Sequence, residues 1–265
     1  MCMPATCARG SYLFLVSTLA PTNYPTLDKT PPTDSPEVQQ WIQEVANSGI
    51  TIPDIDPTVA GGCAANPAAA ANTSRCWWTC GGCTAADDVT ACPDKLTWGL
   101  TYDDGPALYT GNLLAYLDSV DLKATLFIVG SRAISYPALL REEYMAQHQL
   151  GVHTWSHPPM TTLTNEQVIA EFGWTKKIIK DVTGVTPTFW RPPYGDVDNR
   201  VRAIATAMGL QTSMWTRISP TATFDTQGTC ALVLAVPSPP PSSVSLTRAT
   251  QTSTSRAASS PRTRC

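Results

Sequence analysis

Between residues 97 and 215 the apolar positions alternate between two textures: short continuous runs and longer stretches with a helical repeat. The runs at 97–102, 124–129, 150–153, 188–190 and 210–215 predict five strands. The intervals at 108–120, 137–147, 165–181 and 197–208 predict helices. Adjacent parallel strands need a crossover of helical length, so regular alternation of the two textures predicts an α/β fold with a parallel sheet.

The flanks read differently. Residues 21–95 are rich in Pro, Ala, Gly and Cys, with one predicted helix at 37–46, and form a loop-rich N-terminal arm. Residues 229–265 are dominated by Ser, Thr and Pro, so a disordered tail is expected because such a composition buries no core. Within that tail only 231–236 could supply a further strand. The domain between them spans 96–228. Residues 1–20 hold a short, untidy version of a secretory signal, Arg9 followed by an apolar run at 12–19.

Composition narrows the function. Eighteen basic against 21 acidic residues give a net charge of -3, which provides no field for nucleic acid or anionic membranes. No run is apolar enough to predict a transmembrane segment. A monomer is expected. Of nine cysteines, Cys63, Cys76, Cys80, Cys83 and Cys92 lie in one stretch, which favours disulfides and an oxidising compartment over reduced thiols. A zinc-binding module is the competing reading, weakened by irregular spacing. Asn72-Thr73-Ser74 is a glycosylation acceptor, consistent with secretion.

Three segments carry candidate chemistry, and each falls where a predicted strand ends. Asp103 and Asp104 stand before Gly105-Pro106, which is read as ending the first strand so that both carboxylates reach one cleft. Alternatively they belong to a turn that caps the next helix. His153 and His157, two of three histidines, are four residues apart after the third strand and can share one metal with a carboxylate. His148 is read as a surface histidine on a helix. Arg191-Pro192-Pro193-Tyr194-Gly195-Asp196 follows the fourth strand. Its guanidinium could hold a carboxylate ionised, and a backbone N–H in the stiff turn could face an oxyanion.

In this order, Thr101-Tyr102-Asp103-Asp104-Gly105-Pro106, His153-Thr154-Trp155-Ser156-His157 and Arg191-Pro192-Pro193-Tyr194-Gly195 resemble the motifs of the polysaccharide deacetylases, carbohydrate esterase family 4. The stretch Cys76-Trp77-Trp78-Thr79-Cys80-Gly81-Gly82-Cys83 resembles fungal chitin deacetylases in particular. The resemblance implies an incomplete (β/α) barrel and metal-assisted removal of acetyl groups from chitin or chitin oligomers. It implies Asp103 as general base, with Arg191 orienting it. Asp104, His153 and His157 are implied as ligands of one divalent ion, zinc or cobalt, and the Tyr194 N–H as the oxyanion partner. Trp155, Pro193 and Trp215 are expected along the sugar groove, and a secreted or cell-wall location follows.

The chain departs from the family in one respect. The resemblance implies a late Leu-x-His motif that protonates the leaving amine, and no histidine follows His157. Beyond Asp225, itself a candidate match to an acidic motif, the text turns to Ser, Thr and Pro, which reads as a truncated or frameshifted C-terminus. Impaired turnover is therefore expected. The alternative is a catalytically inactive chitin-binding cell-wall protein.

Overall fold

The computed structural model describes residues 19–94 and 97–215. Most of the candidate signal, Asp225, the possible strand at 231–236 and the Ser/Thr/Pro tail lie outside the described residues.

Local signals in the sequence set the helix ends. Helix α1 (Pro36–Ala46) begins where the Ser35 side chain accepts from Val38 N, with Pro36 at a position whose missing N–H costs nothing. Two short helices follow, α2 (Gly62–Ala65) and α3 (Pro67–Ala71). The domain then alternates: β1 (Thr101–Gly105), α4 (Thr110–Ser119), β2 (Thr125–Ile128), α5 (Gly130–Ser135), α6 (Pro137–Met145), β3 (Gln149–Val152), α7 (Asn165–Thr183), β4 (Phe189–Trp190), α8 (Asn199–Ala207) and β5 (Gln211–Thr212). The longest of these helices, α7, opens with a capping box, in which Thr164 and Gln167 satisfy each other's backbone N–H, and closes on Gly184 at φ 82°.

All five strands are parallel, and their order in the sheet is their order in the chain. Each crossover therefore winds the same way, which gives the expected incomplete (β/α) barrel. Four of the five strands are shorter than predicted, while β3 keeps its predicted length one residue earlier. Helix α5 was not foreseen; its six residues are too few to show a periodic pattern.

The apolar faces meet between the sheet and α7. Val168, Phe172, Ile178, Ile179 and Val182 on α7 are fully buried beside Trp190 and Leu140. The Phe172 and Trp190 rings meet edge-on at 4.6 Å, a contact worth roughly 1 kcal/mol beyond area burial.

The N-terminal arm is integral to this core. Trp41 on α1 packs edge-on against Trp174 at 5.4 Å. A Cβ at Gly173 would meet the Trp41 ring at 2.1 Å, so only glycine admits α1 here. Further along, Arg202 on α8 is buried against Asp88 and donates to the carbonyls of Cys76 and Cys83. Val89 bridges Ser213 beside β5, which covers that sheet edge.

Disulfides Cys63–Cys80 and Cys76–Cys83 staple the arm, and Cys92 is also disulfide-bonded. His148 corrects the sequence reading: it is buried, and its Nδ1 accepts from Ala124 N, 3.1 Å away. Its pKa is lowered by burial first, and then by nearby Lys123.

Candidate active site

The C-terminal ends of β1, β3 and β4 converge. The first strand does not stop at Tyr102 as predicted. It continues to Gly105 through a register shift between Tyr102 and Gly105, with Asp104 at φ 67°. Such a bulge breaks the alternation of a flat strand, so two consecutive carboxylates are freed from facing opposite sides.

Asp104 Oδ1 lies 3.2 Å from His153 Nε2 and 3.0 Å from His157 Nε2. One ligand atom from each of the three residues falls within 4.8 Å of the others. The buried His153 places Nδ1 2.7 Å from the Arg191 carbonyl oxygen. A carbonyl can only accept, so Nδ1 carries the hydrogen and the neutral ring presents the Nε2 lone pair toward Asp104. Two imidazoles and a carboxylate fit a divalent transition ion, with room for water in its shell. Burial disfavours the His153 cation, but Asp103 and Asp104 outweigh it and raise the pKa; positive charge is welcome at this point.

The loop between the histidines is held by a residue that sequence reasoning missed. Glu171, fully buried on α7, accepts from Trp155 N at 2.7 Å, Ser156 N at 2.8 Å and Ser156 Oγ at 2.5 Å. Burial pushes its pKa up to about 7, against the pull of those three bonds. Thr154 Oγ1 accepts from His157 N at 3.0 Å, and Thr154 and His157 both have positive φ. Positive φ at non-glycine residues is sparsely populated and persists where surrounding contacts enforce it. The available sequence signal was an acid inside the apolar run Val168-Ile169-Ala170-Glu171-Phe172.

Beside this triad, Arg191 is wholly buried and donates from Nη1 to Asp103 Oδ1 and to Thr101 Oγ1, both at 2.8 Å. Its guanidinium lies 4.2 Å from the Phe127 ring centroid and 5.0 Å from that of Trp215. Burial lowers the Arg191 pKa, with Asp103 opposing that shift. Tyr194, in the turn Pro193–Gly195, has φ 58° and sets its exposed ring edge-on to His157 at 4.7 Å. Gly195 is required there: its φ is 69°, and a Cβ would meet the Trp78 ring at 2.2 Å.

Thus Asp103, Asp104, His153, His157, Arg191 and Tyr194 are brought together. Trp155 is not exposed to a groove. Its ring is fully buried, stacks with Tyr24 at 6.2 Å and donates from Nε1 to the Thr26 carbonyl, because positive φ at Thr154 turns the chain toward the arm. Pro193 is likewise buried, so it shapes the turn without offering a surface to a sugar. Trp215 is partly buried between Arg191 and Trp78. Asn72 is exposed, with its Oδ1 accepting from Ser74.

Residues 90–213 match the polysaccharide deacetylase family. Chitin deacetylase 1 of Cryptococcus neoformans var. grubii is 51% identical over 220 residues, 82% of this chain and 46% of that protein. Chitin deacetylase of Amylomyces rouxii is 47% identical over 146 residues, 53% of this chain and 35% of that protein. The chain thus spans less than half the length of these relatives. Among solved structures, a family 4 carbohydrate esterase from Streptomyces lividans in complex with acetate is 37% identical over 44% of this chain and 61% of that one, with a TM-score of 0.43.

Proposed function

We propose, from the match of residues 90–213 to the polysaccharide deacetylases and the likeness to fungal chitin deacetylase 1, that the chain belongs to that family and removes N-acetyl groups from chitin, yielding chitosan and acetate, with the help of one divalent metal ion. One observation carries the reading: a buried Arg191–Asp103 pair stands beside a triad in which Asp104 Oδ1 lies within 3.2 Å of both histidine Nε2 atoms. A carboxylate base beside a metal-ligand set supplies the water activation and Lewis-acid site that metal-assisted amide hydrolysis uses.

Asp104, His153 and His157 would hold the ion, zinc or cobalt, which supplies Lewis acidity to the acetamide carbonyl and acidifies water. Asp103 takes the proton from the attacking water. Arg191 holds Asp103 aimed, through a bond that does not have to reorganise during the reaction. The Tyr194 N–H donates to the oxyanion of the tetrahedral intermediate. As the C–N bond breaks, the amine must gain a proton, a transfer to which a positioned general acid contributes about 10² to 10⁴-fold.

Secretion to the cell wall and glycosylation at Asn72 accompany the proposal, supported by the disulfides and the chitin-related kinship. Among the described residues no helix is long and apolar enough to cross a membrane.

The test is acetate release from chitotetraose by the purified full chain, supplied with zinc or cobalt and compared with its chelated form. Metal-dependent release supports the reading. Chitotetraose binding without release under any metal would instead favour the non-catalytic chitin-binding alternative.

A further inference from the structure

The residues from His153 to His157 carry two of the three candidate metal ligands, and their backbone is gripped from two sides. On one side, where α5 begins, Gly130 N donates to the Thr154 carbonyl at 2.9 Å. Ser131 donates to the Trp155 carbonyl from N at 3.0 Å and from Oγ at 2.7 Å. A Cβ at Gly130 would meet the Trp155 ring at 2.4 Å, so α5 comes this close to the loop only through glycine. On the other side stands Glu171 of α7. Its Oε2 accepts from the N of Trp155 and of Ser156, and its Oε1 from Ser156 Oγ.

Glu171 is fully buried in a helix whose neighbouring positions Val168, Ile169, Ala170 and Phe172 are buried apolar residues. Burying a carboxyl group costs more than burying an apolar side chain of like size, so packing does not account for an acid there. What the acid supplies is shape. Thr154 and His157 both have positive φ, a conformation that holds only while surrounding contacts enforce it. The two histidines differ in this respect. His153 follows directly on β3 and is anchored by the Arg191 carbonyl, whereas His157 sits at the far end of the strained stretch, with its Nε2 3.0 Å from Asp104 Oδ1.

We propose that Glu171 is a positioning residue for His157, fixing the loop so that this imidazole stands with His153 and Asp104 before an ion arrives. The inference rests on the metal-assisted reading above and deepens it. A ligand atom already in place loses little conformational freedom when the ion binds. Partners that orient metal ligands in this way are worth about 10- to 100-fold in metal affinity.

Calorimetric titration of the full chain with zinc, joined to urea unfolding of the metal-free protein and the visible spectrum of the cobalt-loaded protein, tests this. Glu171→Ala leaves Trp155 N and Ser156 N without their acceptor and should weaken zinc by about 10- to 100-fold. Glu171→Gln can accept both N–H bonds at Oε1 and donate from Nε2 to Ser156 Oγ, so it should stay within about threefold of the parent and keep the parent's cobalt absorption bands. If Glu171→Ala does not fold, Ser156→Ala, which leaves α7 intact, reads the same quantity, with zinc weaker by about fivefold for one lost hydrogen bond. A folded Glu171→Ala that loses urea stability yet binds zinc as the parent does overturns the positioning role and leaves the metal reading standing. Parent-level zinc affinity in Ser156→Ala, where that variant is the one read, does the same, as do equal losses in the Gln and Ala variants. A parent chain that takes up neither zinc nor cobalt overturns both.

Discussion

Asp103 and Asp104 are chemically identical neighbours in very different settings. The Asp103 side chain is 8% exposed and bonded to a wholly buried guanidinium, whereas Asp104 is 41% exposed and faces two imidazoles. The bulge between Tyr102 and Gly105 makes the difference possible, since it lets one residue stay with the sheet and the next turn away from it. A third carboxylate gathers at the same strand end. Glu143 Oε1 lies 3.8 Å from where a Gly105 Cβ would stand, but its Oε2 has no hydrogen-bond partner and burial alone raises its pKa to about 8. Together they separate three uses of a carboxylate: a charge paired with a cation, a charge turned toward a ligand site, and a group kept neutral by burial.

The metal side of the comparison breaks most completely. Replacing His153 or His157 by Ala should reduce bound zinc by tenfold or more, on the order of or beyond the effect of losing an outer-shell partner. Metal analysis of the purified variants reads this directly, and parent-level zinc in both would remove the triad from consideration.

Asp103→Asn should leave zinc content unchanged while lowering acetate release by about 10² to 10⁴-fold, the usual contribution of a positioned base. If zinc falls with activity, the two aspartates are not functionally distinct and the comparison fails.

Stability should separate them next. Arg191→Ala strands Asp103 in a nearly dry setting, and breaking a buried pair in this way costs about 3–5 kcal/mol, measurable by urea unfolding. Asp104→Asn, at a half-open position, should change stability by less than about 1 kcal/mol.

Glu143 gives a smaller effect than Arg191→Ala and the clearest pH sign. Its folded pKa near 8 lies above the ordinary value of 4.5, so the folded state holds its proton longer than the unfolded chain. Its contribution is fully present below about pH 4.5 and is lost as pH rises toward 8. Glu143→Gln should therefore be more stable than the parent above pH 8, by roughly 2–4 kcal/mol, with the gap closing toward pH 5. Parallel stability curves for the two proteins would mean that Glu143 is not held neutral by burial.

The chain's own pattern determined the alternation of strand and helix, the parallel sheet and the location of three motifs at strand ends, because period and crossover length are local properties. The histidine pair was legible for a similar reason, His153 and His157 being four residues apart, whereas Asp104 joined it only through the family resemblance and the placement of β1 and β3 in one sheet. Other features depended on distant packing. Trp155 was expected beside the substrate, yet the arm supplies Tyr24 and Thr26 to bury it, and nothing within five residues of Trp155 encodes that contact. Glu171 lies 15 residues beyond Ser156, and only the return of α7 across the sheet brings it under the loop. Asp196 was visible as part of a motif, but its bonds to Trp77 and Thr79 arise from residues 119 and 117 positions away. Spacing along a chain fixes what can pair within a strand, turn or helix, while burial and contact between distant segments are settled only when the layers close.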